Sequence, residues 1–399
     1  MEWILNFWVT FGDWVAGVLA GWGLPPWGVD LVADIIGVII LLLIGVAAVI
    51  VFTPMERKVI ARMQDRPGPN RVPLYGTITA FADAIKMLTK EDIIPSRADK
   101  FLHGLGPILV VIPAVLVFAV LPFGPRLVGE QLNVGALYVV AIGGMHVLAV
   151  VIAAWGSNNK FALISAFRVV NQLLAYEIPL VLSILAVVLL TGSMNLVEIV
   201  DQQVVPYFVV MPVAALIYTT AALAEANRSP VDLIEADSEM VAGYLVEYSG
   251  MKFAMFFIAE YVNMFAVGIV ASTLFLGGWK FFGLEDLAPV LRPVIVFAKA
   301  AFIIFLMLWF RATFPRLRFD QLIGFAWKFL VPLSLVNLLI VAIAVKIPLG
   351  DPITEPYIRG AIILILNLVM TAVAFLIVRR AAITSPRAPA LKRIAAVER

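Results

Sequence analysis

The sequence lacks cysteine and has little histidine. It contains no Cys in 399 residues, and His103 and His146 are its two imidazoles. The missing thiols exclude disulfides, cysteine-ligated iron–sulfur clusters and thiol nucleophiles. Two histidines at different helix depths are also too few for a histidine-built zinc site or a di-haem site. If the chain takes part in redox chemistry, the redox centre must therefore belong to another chain.

Charge is also scarce, which excludes an ordinary soluble domain. Asp, Glu, Lys and Arg make up 14% of the residues, against about 25% in soluble proteins, while 62% are hydrophobic. The mean hydropathy is +1.01, so lipid must surround most of the chain. Alternating strand patterns are absent, which favours an all-α integral membrane protein over a barrel. Nine apolar segments are long enough to span a membrane: 33–54, 104–123, 134–155, 173–192, 206–226, 253–277, 291–311, 325–346 and 357–378.

Three parts of the chain differ in character. Residues 1–32 contain no Lys or Arg but several Trp and Phe before Pro25 and Pro26, which argues against a secretory signal peptide and predicts an aromatic lead-in at the membrane interface. Residues 33–346 form a core with eight predicted spans and cytoplasmic loops at 55–103 and 227–252. Residues 347–399 add a ninth span and a basic tail.

The distribution of basic residues predicts the orientation. The connecting segments on one side carry 21 Lys and Arg, and those on the other side carry 2. Because basic loops stay in the cytoplasm, we expect the N-terminus outside and the C-terminus inside. The loops 55–103 and 227–252 then both face the cytoplasm.

The loop 55–103 combines a turn with a surface helix. Prolines and glycine at 67–73 force the chain to turn, and beyond them Ile78, Phe81, Ile85 and Leu88 recur at helical spacing. This pattern predicts an amphipathic helix at the membrane surface. The loop is either a basic segment held against anionic lipid or a docking surface for a peripheral partner, and charge counting does not choose between them.

The stretch 225–247 holds six carboxylates against one base, Arg228. Ser229 and Pro230 favour a helix start, and Asp232, Glu235 and Glu239 then fall on one helical face. Like charges at this spacing repel each other, so such a group tends to hold protons and to titrate as a coupled set. The alternative is a solvated acidic face. A metal site is disfavoured because the stretch has neither His nor an EF-hand spacing.

Ionisable residues also fall inside predicted spans. Glu177, Glu225 and Glu260 lie toward the cytoplasmic ends of three helices, and Lys299 lies inside another. Because burying such groups in lipid costs several kcal/mol, they usually face a bundle interior or a wet cavity. The three carboxylates beside an acidic loop predict a chain of acids that can pass protons. The alternative for each residue is local pairing or snorkelling to the interface.

Four blocks of this sequence resemble one family, the H subunits of NADH-quinone oxidoreductase (respiratory complex I, NDH-1). They are MERKVIARMQDRPGPN (55–70) with FADAIKMLTKE (81–91), SNNKFALISAFRVVNQLLAYEIP (157–179), AEANRSPVDLIEADSEMVAGYLVEY (224–248) with AEY (259–261), and FRATFPRLRFDQLIGFAWK (310–328). They occur in family order and cover the chain from about 31 to 346. The sequence departs from the family at Val231, where Phe is usual, and at Asp237, where Glu is usual.

The resemblance implies a role that composition alone does not. Members bind no flavin, iron–sulfur cluster or other cofactor themselves. They form the membrane side and entrance of a chamber for the substrate, a quinone such as ubiquinone or menaquinone. Two peripheral-arm subunits complete this chamber, and membrane-arm subunits and lipid flank it. The chain would be part of a proton-translocating enzyme that uses NAD in a bacterial inner membrane, with no nucleic-acid partner and no redox centre or metal of its own.

The resemblance also implies residue roles. The quinone chamber and its entrance would involve Glu56, Arg57, Arg66 and Arg228. The proton path and its coupling would involve Asp83, Glu177, Glu225, Asp232, Glu235, Asp237, Glu239, Glu247 and Glu260. Lys299 is the candidate intramembrane base, and no residue is expected to be catalytic in the redox step itself.

Three other interpretations stay open at the level of sequence. The same fold serves ferredoxin-linked and hydrogenase-linked complexes. A stand-alone secondary transporter could use Glu177 and Glu260 as ligands, although no internal repeat is evident. A purely structural scaffold would have no need for buried carboxylates.

Overall fold

A computed structural model describes residues 14, 17–19, 21, 25–228, 230–231, 243–281, 283–287, 290–347 and 355–384 of the chain. Within these residues helices are joined by loops, and no β-strand occurs. The helices, numbered here in chain order, are α1 Pro26–Met63, α2 Thr79–Thr89, α3 Lys100–Leu116, α4 Gly135–Gly156, α5 Lys160–Thr191, α6 Leu196–Gln202, α7 Tyr207–Val210, α8 Pro212–Glu225, α9 Gly250–Phe275, α10 Leu284–Leu287, α11 Leu291–Thr313, α12 Phe319–Phe325, α13 Val331–Lys346 and α14 Glu355–Thr384.

Eight of the described helical stretches are long and apolar enough to cross a membrane. They include α12 and α13, which a π-helical turn at Ala326–Leu330 joins into one span directly before Pro332. These stretches confirm the predicted all-α membrane fold and coincide with eight of the nine predicted spans. The lead-in at 1–32 lies mostly outside the described residues, and its last residues open α1 at Pro26.

The predicted fifth span, 206–226, is wrong as a single helix. The chain forms the four-residue helix α7, leaves helical geometry at Met211 (φ −127°, ψ 65°), and begins α8 at Pro212. Proline has no N–H to continue the hydrogen-bond ladder, so it suits the start of a helix better than the interior. The result is a 14-residue apolar helix with a short helix before it.

Of the helices that are longer than predicted, two change the position of candidate site residues. α1 continues through Pro54 to Met63, so Glu56 and Arg57 are helical and do not lie in a loop. α5 begins at Lys160, where Asn159 accepts a hydrogen bond from the Phe161 N–H, so Glu177 lies near the middle of its helix. The first turns of α5 contain polar residues, which made the sequence look unlike a membrane span. These residues have partners in the bundle: Gln172 donates to the Ala224 carbonyl, and Arg168 lies over the Phe319 ring.

The core forms where α9 packs among α1, α3 and α11. Phe265 of α9 lies 5.5 Å from Phe52, 5.7 Å from Phe118 and 5.6 Å from Phe297, measured between ring centroids. Such ring pairs stabilise a core beyond their buried area. In contrast, the predicted amphipathic helix α2 buries none of its residues, and Phe81, Ile85 and Leu88 are exposed on it.

A close contact between α3 and α4 tests this packing. A Cβ at Gly106 of α3 would lie 2.8 Å from both Cα and Cβ of Ala153 in α4, whereas a Cβ at Gly104 would meet nothing within 4 Å. We expect Gly106→Ala to destabilise the protein by about 1–3 kcal/mol, because overpacking forces the helices apart. Gly104→Ala should be neutral or stabilising, since Ala favours the helix. Heat-induced aggregation of the tagged chain in solubilised membranes measures both, and equal midpoints would contradict the contact.

Candidate functional site

Glu56 is at the centre of a buried ion-pair cluster at one end of the bundle. Its carboxylate accepts hydrogen bonds from Arg228 Nη1 at 3.1 and 3.0 Å and from the Tyr261 hydroxyl at 2.8 Å. Arg311 of α11 also donates to it. Glu56 is 6% exposed and Arg228 is 4% exposed. A buried carboxylate is tolerated when charged donors satisfy its oxygens, and Glu56 meets this condition with two guanidinium groups and a phenol.

The local sequence after α8 positions Arg228. The N–H of Arg228 donates to the Leu223 carbonyl at 3.1 Å, and the N–H of Asn227 donates to the Ala224 carbonyl at 3.3 Å. These two bonds form a Schellman motif that ends the helix. The motif needs a left-handed residue, and Asn227 takes that conformation with φ 50°, which Asn tolerates better than most side chains. The turn delivers the arginine into the bundle shortly after Glu225.

Arg228 connects two carboxylates. Its Nε lies 3.5 Å from Glu260 Oε1, while its Nη1 binds Glu56. The guanidinium carbon lies 4.5 Å from the centre of the Tyr261 ring, which adds a cation–π contact. Burial alone would lower the pKa of Arg228, but the nearby carboxylates of Glu260 and Glu56 raise it, so the charge is retained. Any change at one carboxylate therefore alters the field at the other.

Three small cavities continue from this cluster into the bundle. The first, about 20 Å³, lies between Glu260, Glu225 and His146. The second, about 30 Å³, and the third, about 40 Å³, both lie between Glu225 and Glu177. Asn263 of α9 lines all three. Each volume exceeds the roughly 10–15 Å³ that one water needs, and each lining is partly polar, so each cavity can hold water.

Gly143 of α4 makes room for Glu225, and Gly144 lies next to Glu177. A Cβ at Gly143 would lie 3.1 Å from Glu225 Oε1, and one at Gly144 would lie 3.5 Å from Glu177 Oε1. Both carboxylates face the cavities, where water-sized space adjoins them. Glu177 and Glu225 therefore have room for water beside them, whereas the carboxylate of Glu56 is surrounded by its donors.

Asp83 belongs to a separate surface cluster on α2. Its carboxylate pairs with Arg57 of α1 at 2.7 Å and with Lys86 at 2.9 Å. Partial burial tends to raise the pKa of Asp83, but the hydrogen bonds and charges of Lys86 and Arg57 outweigh it and lower the pKa. This pair attaches the exposed amphipathic helix to α1, one residue from Glu56.

Other predicted residues lie apart from the cluster. Arg66 is exposed and bonds Gln64, and Glu247 accepts from Asn159 Nδ2 at 2.7 Å. Lys299 lies toward the opposite end of the bundle, where its Nζ donates to the carbonyls of Leu276, Gly278 and Lys280. Asp232, Glu235, Asp237 and Glu239 lie outside the described residues. Within the described ranges, no three His, Asp or Glu side chains gather into a group that could hold a metal ion.

Four contributors were not predicted from the sequence. Tyr261 and Arg311 bind Glu56, and His146 and Asn263 line the cavities. Two of them carry a signal in the sequence, since Arg311 is the basic residue closing a predicted span and Asn263 is a polar residue one turn from Glu260. His146 lies in an apolar span, which predicts that it packs within the bundle. It does so, and it lines the cavities together with Glu225.

Comparison with known proteins finds close relatives. The family model described as NADH dehydrogenase matches residues 35–342. The chain is 48% identical over 303 residues to the NADH-quinone oxidoreductase H subunit of Dehalococcoides mccartyi strain CBDB1, which covers 76% of this chain and 84% of the relative. It is 46% identical over 331 residues to the protein of the same name from Brevibacillus brevis, covering 81% and 96%. The Bacteroides thetaiotaomicron protein of that name is 42% identical over 345 residues, covering 84% and 96%.

The buried pairing predicts a large stability loss when one partner is removed. Arg228→Met leaves Glu260 without its arginine and Glu56 with Arg311 as its remaining cation, so we expect a loss of about 3–5 kcal/mol. Adding Glu260→Gln to Arg228→Met should recover part of it, because the carboxylate that lost its arginine is then replaced by a neutral amide. Thermal unfolding in solubilised membranes measures the effect. Arg126→Met, at an exposed arginine, is the control, and an equal shift for both single variants would contradict the cluster.

Proposed function

The chain belongs to the H-subunit family of NADH-quinone oxidoreductase, and we propose that it couples quinone reduction to proton translocation in that enzyme. It is a multi-pass bacterial membrane protein whose partners are the other subunits of the complex. The proposal is that it forms the membrane side and entrance of the quinone chamber, which two peripheral-arm subunits complete. The cytoplasmic ends of its helices would face those subunits, with the N-terminus outside and the C-terminus inside.

The observation that carries this proposal is the line of carboxylates from Glu56 to Glu177. Glu56 shares Arg228 with Glu260, Glu260 shares a cavity with Glu225, and Glu225 shares two cavities with Glu177. Acidic groups inside a bundle mark ion or proton pathways, because their burial is otherwise costly. The relatives are named as subunits of a quinone oxidoreductase, which favours this interpretation over a stand-alone transporter or a ferredoxin-linked complex.

Quinone reduction would change the charge next to this line of carboxylates. Forming a quinol takes two electrons and two protons, and the electrons would come from other subunits of the complex. A charge change in the chamber would act first on the cluster of Glu56, Arg228 and Arg311. Since Arg228 contacts both Glu56 and Glu260, a stronger interaction of Arg228 with one carboxylate weakens its interaction with the other.

The interior carboxylates would receive that change. A weaker contact between Arg228 and Glu260 favours proton uptake at Glu260, and water in the cavities would pass the proton toward Glu225 and Glu177. Moving one proton against 100 mV requires roughly 2.3 kcal/mol. This is within the about 1–3 kcal/mol that coupled sites commonly exchange.

Glu225→Gln tests the proposal. The substitution keeps the shape of the side chain and removes its acid, so we expect an assembled complex with turnover lowered by about 5–150-fold, the range of a 1–3 kcal/mol coupling. Proton translocation per electron should fall with it. Quinone reductase activity and proton uptake in membranes provide the measurement, with assembly checked on a native gel.

Glu198→Gln is the matched control. Glu198 is exposed in α6 and bonded to Ser193, away from the cavities, so turnover should stay normal. Glu235→Gln extends the assay to the acidic loop. Normal turnover and pumping in an assembled Glu225→Gln complex would refute the proposed path.

A further inference from the structure

Two cavities with mostly apolar linings flank the short helix α7 at the end of the bundle opposite Glu56, and Gln202 and Arg359 are the polar residues that line the smaller one. The larger, about 670 Å³, lies between α7 and α11, and the smaller, about 390 Å³, lies between α7 and α14. Both volumes fall within the roughly 300–1,000 Å³ typical of small-molecule sites. Val204 and Val209 line both cavities, so the four residues of α7 form a narrow wall between them.

The cavities lie beside the lipid-facing surface. Phe208 and Phe302 line the larger one and are 52% and 57% exposed, and Tyr357 lines the smaller one and is 57% exposed. A transmembrane helix has a diameter of about 10–12 Å with its side chains. Because α7 divides the space into two cavities, a forked molecule with two thin apolar branches fits it better than one undivided helix.

The charges of the larger cavity favour an anion. Lys280 and Lys299 line it against one carboxylate, Glu285. Lys299 uses its three N–H groups on the carbonyls of Leu276, Gly278 and Lys280. Lys280 donates to the Asp201 carbonyl at 2.7 Å and approaches the Gln203 carbonyl at 3.5 Å, which leaves it a donor for a ligand.

We propose that these two cavities bind one anionic diacyl phospholipid. Its two acyl chains lie on either side of Val209, and its phosphate lies near Lys280. Lys280 can donate a charge-assisted hydrogen bond to that phosphate, and Lys299 lines the same cavity. In the orientation predicted from the basic residues, the lipid belongs to the outer leaflet. The site is separate from the carboxylate line and does not depend on the function proposed for it.

A photo-crosslinking amino acid at the cavity wall tests the proposal. Phe302 is replaced by p-benzoylphenylalanine in the intact complex, the native membranes are irradiated, and mass spectrometry identifies what is attached to the chain. We expect phosphatidylglycerol adducts enriched several-fold over their share of the membrane lipid. The same probe at Leu339, which is 61% exposed on α13 and lines neither cavity, should give adducts in proportion to the bulk lipid.

Further substitutions test the charge of Lys280 and the volume of the larger cavity separately. Lys280→Met should remove the enrichment at position 302, while Arg126→Met, at the other basic residue of the predicted outer loops, should leave it unchanged. Ala298→Trp fills the larger cavity and should lower all lipid adducts at 302. A peptide of a neighbouring subunit at 302, or the same lipid distribution at 302 and 339, or enrichment that survives Lys280→Met, would overturn the proposal.

Discussion

The pairing of Glu56 with Arg228 and Arg311 is the interaction on which this end of the bundle depends. It joins α1, the turn after α8 and α11, and Tyr261 of α9 adds a fourth element. A buried carboxylate without cations would be destabilised by several kcal/mol. The carboxylate of Glu56 therefore constrains the positions of these four elements relative to one another. The Schellman motif at Asn227 places Arg228 where it can bind that carboxylate.

The carboxylates beyond this cluster have a different environment. Glu56 is fixed by three donors, whereas Glu177 and Glu225 face cavities that Gly143 also lines. The first arrangement fixes one geometry. The second leaves room for water. A rigid charge pair beside acids with water-sized space suits the proposed conversion of a charge change near Glu56 into proton movement within the membrane.

Sequence reasoning predicted the membrane fold well because a span of about 20 apolar residues is a strong and local signal. It failed where polar residues continue a helix, as from Lys160 to Gln172, because their partners on α8 and α12 are distant in sequence. It failed again at Met211, where a proline inside an apolar run starts a new helix. Resemblance to the family pointed to Glu56 and Arg228 as site residues. Neither composition nor spacing could show that these two residues bind each other, or that Tyr261 and Arg311 join them.

Each end of the bundle holds a basic side chain, Arg228 or Lys299, and the two ends satisfy it with different partners. At one end Arg228 is neutralised by carboxylates, which can themselves gain or lose protons. At the other end Lys299 donates hydrogen bonds to three backbone carbonyls, and carbonyls neither gain nor lose protons. The carbonyls that hold Lys299 do not titrate, and the proposed anion site lies beside this lysine. The partners of Arg228 are ionisable carboxylates. The proposed division between a lipid-binding end and a proton-exchanging end therefore rests on the chemistry of the partners and not on the depth of the charges in the membrane.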